Sequence, residues 1–154
     1  MPPDNSSSNG ELDPGELGPI TDQVDDEVWL YRLIPVALCE LVEGQWQFRS
    51  GAFANSTEPG YENEMSIVLG DTLADHERQP EDLPEFSFPG GAEEWGVAKL
   101  RTDCARAIPE QEVLRSANSA EPAHGDVVGV KGSKRRKKFK RCASWVVQPA
   151  TPTP

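Results

Sequence analysis

Short apolar runs and runs of alternating apolar and polar residues, separated by proline and glycine, are the main pattern along this chain. Residues 28–34 join aromatic and β-branched side chains and stop at Pro35, as a β-strand would. Residues 46–50 alternate apolar and polar positions, which is typical of a half-buried strand. Similar short runs predict further strands, at residues 65–69, 95–100, 112–115 and 124–128, and a last strand or apolar tail at 145–147.

Helical patterns are few and short. Residues 70–78 predict a helix with Asp71 as its N-cap, and residues 102–107 predict one or two further turns. Residues 36–42 fit either a short helix or a strand. The segment 79–94 is rich in proline, glycine and acid, and predicts a loop that is mobile or covers a site.

Five or six short strands with two or three short helices, in no strict alternation, predict an α+β fold. We expect a small mixed or antiparallel sheet. Residues 1–23 combine Ser, Gly, Pro and acidic residues and predict a disordered acidic tail, or else an acidic arm lying over the basic end. Residues 24–147 then form one domain, and residues 148–154 a Pro/Thr tail.

Charge is divided sharply along the chain. Residues 1–130 hold 26 acidic and 7 basic residues, a net charge of −19, whereas residues 131–141 carry +8. An acidic body with one cationic end indicates a selective attraction for anionic partners.

The basic segment, residues 131–141, predicts a helix that begins at Ser133 and runs to Ala143. Phe139, Cys142 and Ala143 recur at i, i+3 and i+4 and predict one narrow buried stripe. The cations crowd the helix N-terminus, where the helix dipole disfavours positive charge, and an anion there would relieve that cost. The predicted anion-binding or nucleic-acid-binding residues are Lys131, Lys134, Arg135, Arg136, Lys137, Lys138, Lys140 and Arg141.

The same segment has two other interpretations. It could pair with the acidic body of its own chain, or serve as a nuclear-localisation address. Phe139 and Trp145 are the aromatic residues near the cations, so base-stacking recognition of a particular sequence is not implied.

Three widely spaced cysteines, without a CxxC pair, indicate neither a disulfide framework nor a zinc knuckle. We therefore expect reduced thiols, with Cys39 and Cys104 packed as small apolar residues. The N-terminus lacks the charged and apolar regions of a signal peptide, and the longest apolar runs are too short to cross a membrane. These features predict a cytoplasmic protein with no membrane association, and they leave its oligomeric state open.

Motifs for catalysis or cofactor binding are weak. The segment Gly129–Lys134 lacks the residue order of a phosphate-binding loop, and His76-Glu77 lacks the second histidine of a zinc-protease motif. Two histidines in all exclude a multi-histidine metal site, and no metal or cofactor is predicted. Ser50 is not in a GxSxG setting. His124, at a strand start, could act as a base or simply hold a loop in place.

Four short motifs occur in a recognisable order. They are Tyr31-Arg-Leu-Ile-Pro35, Ser50-Gly-Ala-Phe53, Met65-Ser66, and Pro122-Ala-His-Gly-Asp-Val-Val-Gly129 followed by the basic run. Residues 28–147 thereby resemble a family of small bacterial proteins that brings no established activity with it. The family has an alanine directly after the histidine, where this chain has Gly125-Asp126.

A fainter resemblance is to ADP-ribosyltransferase-like folds, which place an arginine or histidine on a first strand and a serine on the next. Arg32 and Ser50 match those positions, but the late catalytic glutamate of that fold has no counterpart here. A resemblance at the level of fold does not establish chemistry.

Three hypotheses follow. The first, which we favour over an enzyme, is a small cytosolic binding protein whose basic segment contacts nucleic acid or an acidic protein surface. The second is an ADP-ribosyltransferase-like enzyme with Arg32, Ser50 and His124 in one cleft. The third is an accessory protein that uses its acidic body as the interaction surface.

Overall fold

A computed structural model describes residues 23–152. Its strands are β1 (Trp29–Pro35), β2 (Cys39–Val42), β3 (Gln45–Phe48), β4 (Glu64–Leu69), β5 (Trp95–Arg101), β6 (Glu112–Arg115), β7 (His124–Val128) and β8 (Ser144–Val147). The α-helices are α1 (Gly70–Asp75), α2 (Leu83–Ser87), α3 (Thr102–Arg106) and α4 (Ser133–Cys142). Short 3₁₀ helices cover Val36–Leu38, Ser50–Phe53, Pro80–Asp82 and Ala92–Glu94.

Six of the strands form one antiparallel sheet in the order β6-β7-β4-β1-β5-β8, and β2 and β3 form a separate hairpin. The predicted α+β class with a small antiparallel sheet is confirmed. The predicted disordered tail lies almost entirely outside the described residues. Within residues 23–152, no helix combines the length and the apolar character needed to cross a membrane.

Side chains that alternate along the strands divide the core between the two faces of the sheet. Leu30 and Ile34 of β1 belong to a large cluster with Phe53 and Phe139, and we call this side the α4 face. Tyr31 and Leu33 point the other way, toward a smaller cluster that contains Val68 of β4, Leu73 of α1 and Leu83 of α2. We call that side the His124 face, because His124 is registered directly opposite Val68.

A disulfide and one aromatic side chain hold α4 against α3 and the 3₁₀ helix Ser50–Phe53. Phe139 is fully buried, and its ring stacks with Phe53 at 6.3 Å between centroids. Cys142, the last residue of α4, is bonded to Cys104 of α3. The expectation of three reduced thiols was therefore wrong, because the fold brings two distant cysteines to a Cα–Cα distance of 5.9 Å. Cys39 is buried and free, as expected.

Several local predictions need correction. Residues 36–42 divide into a 3₁₀ turn followed by β2, so both interpretations hold for part of the segment. The predicted loop 79–94 contains two 3₁₀ turns and α2. Each of these short helices has a proline or an acidic residue in its first turn, where such residues are favourable.

Two predicted helix caps are also wrong. Asp71 does not cap α1, because its carboxylate is held by Arg115, with Nη1 of that arginine 3.1 Å from Oδ1. That hydrogen bond lowers the pKa of Asp71. Gly132, and not Ser133, occupies the N-cap position of α4.

Candidate functional site

The exposed side of α4 is strongly cationic. Residues 134, 137, 138 and 141 recur at i, i+3, i+4 and i+7, so their side chains form one stripe along the helix. Phe139 lies on the opposite side and points into the core. We call the exposed surface the basic face and define it as Lys134, Lys137, Lys138, Lys140 and Arg141.

Within residues 23–152, the carboxylates leave the basic face unpaired. Among the described residues, the ion pair to α4 joins Arg135 Nη1 to Glu110 Oε1 at 3.1 Å. Arg136 donates from Nη1 to the carbonyl of Lys131 at 2.9 Å. None of the five residues of the basic face forms an ion pair with a carboxylate in the part of the chain that the structure describes. Pairing among the described residues therefore involves Arg135 and leaves the stripe available.

Lys131 was predicted to bind anions, but it does not lie on this surface. It is 5% exposed, and its Nζ donates to the carbonyls of Val127 at 2.8 Å and Gly129 at 2.9 Å. Burial, together with the neighbouring positive charge of Arg32, lowers its pKa to about 8. Its ammonium group stabilises the end of β7 and the turn that leads into α4.

A second candidate region is a cavity of about 530 Å³ on the His124 face. Apolar and aromatic side chains line it together with several polar ones. The lining includes Tyr31, Leu33, Phe86, Ser66, Glu121 and His124. Phe86 comes from α2, so the segment predicted as a covering loop does contribute to a cavity wall.

The cavity lies where β1 and β4 separate. Their register pairs Leu30 with Leu69 and Tyr31 with Val68, and it ends there. Beyond that point the Arg32 side chain replaces the strand-to-strand hydrogen bonds. Its Nη1 donates to the Ser66 carbonyl at 2.7 Å, and its Nε donates to the Ala52 carbonyl at 2.7 Å. The guanidinium therefore satisfies carbonyl oxygens at the gap. Burial lowers the pKa of Arg32 to about 10.

Four polar side chains form a continuous hydrogen-bonded chain beside this cavity. Ser66 Oγ lies 3.2 Å from His124 Nε2, and His124 Nδ1 lies 2.9 Å from Ser116 Oγ. Ser116 Oγ donates to Asp126 Oδ2 at 2.6 Å. Asp126 is 8% exposed, whereas Ser66 is open to solvent. This series of hydrogen bonds thus connects a buried carboxylate, that of Asp126, to an accessible hydroxyl, that of Ser66.

The three residues proposed for an enzyme cleft are not brought together. Arg32 and His124 both line the cavity, but the Arg32 guanidinium is occupied by backbone carbonyls. Ser50 begins the 3₁₀ helix Ser50–Phe53, which packs on the α4 face, whereas His124 lies on the other face. The hydroxyls within hydrogen-bonding distance of His124 belong to Ser66 and Ser116.

Sequence reasoning gave no role to Ser66, Ser116 or Asp126. Ser66 and Asp126 are cross-strand partners on β4 and β7, and Ser116 follows β6, so tertiary register is what joins them. One signal was present: Met65-Ser66 and the segment that contains His124 and Asp126 stood among the four ordered motifs. Those motifs meet here, because Arg32 binds the carbonyls of Ala52 and Ser66.

Within residues 23–152, no group of three or more His, Cys, Asp or Glu side chains is arranged to hold a metal ion.

Comparisons of the chain with protein-family models, with curated proteins and with solved structures returned no match.

Proposed function

We propose that this protein binds double-stranded nucleic acid through contacts between the basic face and the phosphate backbone. The observation that carries the proposal is the basic face, whose five cations, four of them on one exposed stripe, have no carboxylate partner among the described residues. Binding of lysine and arginine to phosphates releases condensed counterions, which favours association.

The surroundings of the basic face favour a duplex over a single strand. Proteins that bind single strands stack bases on exposed aromatic side chains. Phe139 is fully buried, and the Trp145 indole donates from Nε1 to the Trp46 carbonyl at 3.1 Å while its ring packs on Phe48. Without a stacking platform on the basic face, contact with phosphates is expected to be independent of sequence.

The size of the basic face suits a short stretch of backbone. Residues 134 to 141 extend over about 10 Å at the helical rise of ~1.5 Å per residue. One strand of a duplex advances ~3.4 Å per phosphate, so the stripe spans about three phosphates of one strand. The acidic body would repel a polyanion elsewhere, so that the duplex is directed to this end of the molecule.

The test is fluorescence anisotropy of a labelled 20-base-pair duplex, titrated with protein at several salt concentrations. We expect K137Q/R141Q to lower the affinity and to reduce the slope of log K against log salt by about 2, one for each lost phosphate contact. K99Q/R101Q is the matched control, because it removes the same charge from β5, and it should leave the slope unchanged.

Two results would overturn the proposal. One is an equal loss of binding in both double variants, which would indicate net charge and not a defined face. The other is tighter binding to poly-L-glutamate than to the duplex at equal charge concentration, which would assign the basic face to an acidic protein partner.

A further inference from the structure

The hydrogen-bonded chain beside the cavity constrains the protons of His124. Nδ1 lies 3.1 Å from the Ser116 carbonyl oxygen, which can only accept, and 2.9 Å from the Ser116 hydroxyl. That hydroxyl gives its own proton to the Asp126 carboxylate at 2.6 Å. Both neighbours of Nδ1 are therefore acceptors, so the neutral imidazole must carry its proton on Nδ1.

The other ring nitrogen then has a free lone pair. Nε2 lies 3.2 Å from Ser66 Oγ, within reach of a hydrogen bond donated by that hydroxyl. A serine that donates to a histidine whose opposite nitrogen is fixed by an acidic group is the arrangement of an activated nucleophile. Here the Ser116 hydroxyl stands between the imidazole and the carboxylate, with Nδ1 4.0 Å from Asp126 Oδ2.

We propose that Ser66 is a catalytic nucleophile that accepts acyl groups from carboxylic esters, with His124 as its general base. Ser116 and Asp126 are positioning residues that hold the imidazole ring in one tautomer. This activity does not depend on the basic face, which lies on the α4 face of the sheet.

The surroundings of Ser66 indicate which part of an ester would lie on each side. The cavity of about 530 Å³ presents Tyr31, Leu33 and Phe86, and suits an apolar acyl group. A second depression of about 490 Å³ shares Ser66 and His124 but is lined by Glu58 and Glu64. Its carboxylates suit a polar alcohol portion without negative charge. The substrate class is therefore an ester of an apolar acid with a neutral or cationic alcohol.

The proposed reaction has two balanced steps. Ser66 Oγ attacks the ester carbonyl carbon while its proton passes to His124 Nε2, and that proton then leaves with the alcohol as the carbon–oxygen bond breaks. Water next attacks the acyl-serine, gives a proton to Nε2 and releases the carboxylic acid, after which Ser66 recovers its proton. No oxidant or metal is needed.

The test combines labelling of the full chain by a fluorophosphonate probe with hydrolysis of p-nitrophenyl butyrate. We expect a mass increase on the peptide that contains Ser66, and loss of both signals in Ser66→Ala. His124→Gln should slow labelling by at least about 100-fold, the usual contribution of a positioned base. Ser119→Ala, an exposed serine of a nearby loop, is the matched control and should react as the unmodified protein does.

The positioning role has its own readout. Ser116→Ala should slow labelling, whereas Ser116→Thr, which retains a hydroxyl, should restore most of the rate. A purely structural role would not follow the hydroxyl in this way, provided that both variants unfold at the same urea concentration as the parent. The proposal is overturned by a probe that labels another residue, by no labelling at all, or by His124→Gln reacting at the parent rate.

Discussion

Removal of the disulfide between Cys104 and Cys142 should destabilise the protein by about 4 kcal/mol. The two residues are 38 positions apart, and the bridge closes a loop that contains β6, β7 and all of α4. In the chain-entropy relation, a loop of this length restricts the unfolded chain by roughly 13 cal/mol/K, which is about 4 kcal/mol at 25 °C. The variant to test is C104S/C142S.

Urea unfolding followed by tryptophan fluorescence measures this difference directly. When dithiothreitol is added, we expect the parent protein to lose most of its extra stability relative to C104S/C142S. The urea midpoint of C104S/C142S should not change with the reductant. Reduced parent and double variant should then unfold at similar urea concentrations, because both lack the same loop constraint. Identical midpoints for the parent with and without reductant would refute the reasoning.

A thiol count under denaturing conditions provides the control. The oxidised parent should expose one free thiol, from Cys39, and three would show that the bridge does not form. Disulfides are typical of oxidising compartments and are rare in the cytosol. The predicted cytoplasmic location therefore stays a prediction, and the thiol state of Cys104 and Cys142 in cell extracts trapped by alkylation tests it.

Three further changes test the packing around β7 and α4. Phe139→Ala removes a fully buried ring and should lower the free energy of unfolding by about 3–5 kcal/mol, measured by urea unfolding. The control is Phe86→Ala, at a residue that is 57% exposed, which should change the free energy of unfolding by less than ~0.5 kcal/mol. Gly125→Ala should cost about 1–3 kcal/mol in the same assay, because its new Cβ would lie 2.9 Å from a backbone carbonyl oxygen, while Gly132→Ala meets no neighbour within 4 Å and serves as the control. Burial lowers the pKa of Lys131 to about 8, below its value of ~10.5 in the unfolded chain. Between those pH values the unfolded state therefore binds more protons, and the stability of the parent protein rises with pH. The difference in urea midpoint between the parent and Lys131→Met should follow that rise, and a difference that stays constant with pH would contradict the reasoning.

Much of the secondary structure could be predicted because it depends on local pattern. The run from Val28 to Ile34 and the alternation after Trp46 mark strands by side-chain type alone, and β1 and β3 occur there. The same holds for α4, where the spacing of Phe139, Cys142 and Ala143 predicted the buried side. The outward orientation of the lysines follows from that spacing.

Features that depend on register between distant strands could not be predicted. His124 meets Ser66 across 58 residues because β7 pairs with β4, and no local pattern states that register. The disulfide was missed for a related reason, since Cys104 and Cys142 are 38 residues apart and only the packing of α3 against α4 brings them together. The glycine at position 125 is also explained by tertiary contacts, because Ile67 and Leu114 leave no room for a side chain there.

The salt dependence of duplex binding tests the central claim most directly, because it counts the phosphates that the basic face contacts. Contact with about three phosphates predicts a slope of log K against log salt of about −3 for the parent protein. Replacement of Lys134, Lys137, Lys138, Lys140 and Arg141 by glutamine should bring that slope close to zero. A parent slope near zero, or a steep slope that survives the five replacements, would contradict the account.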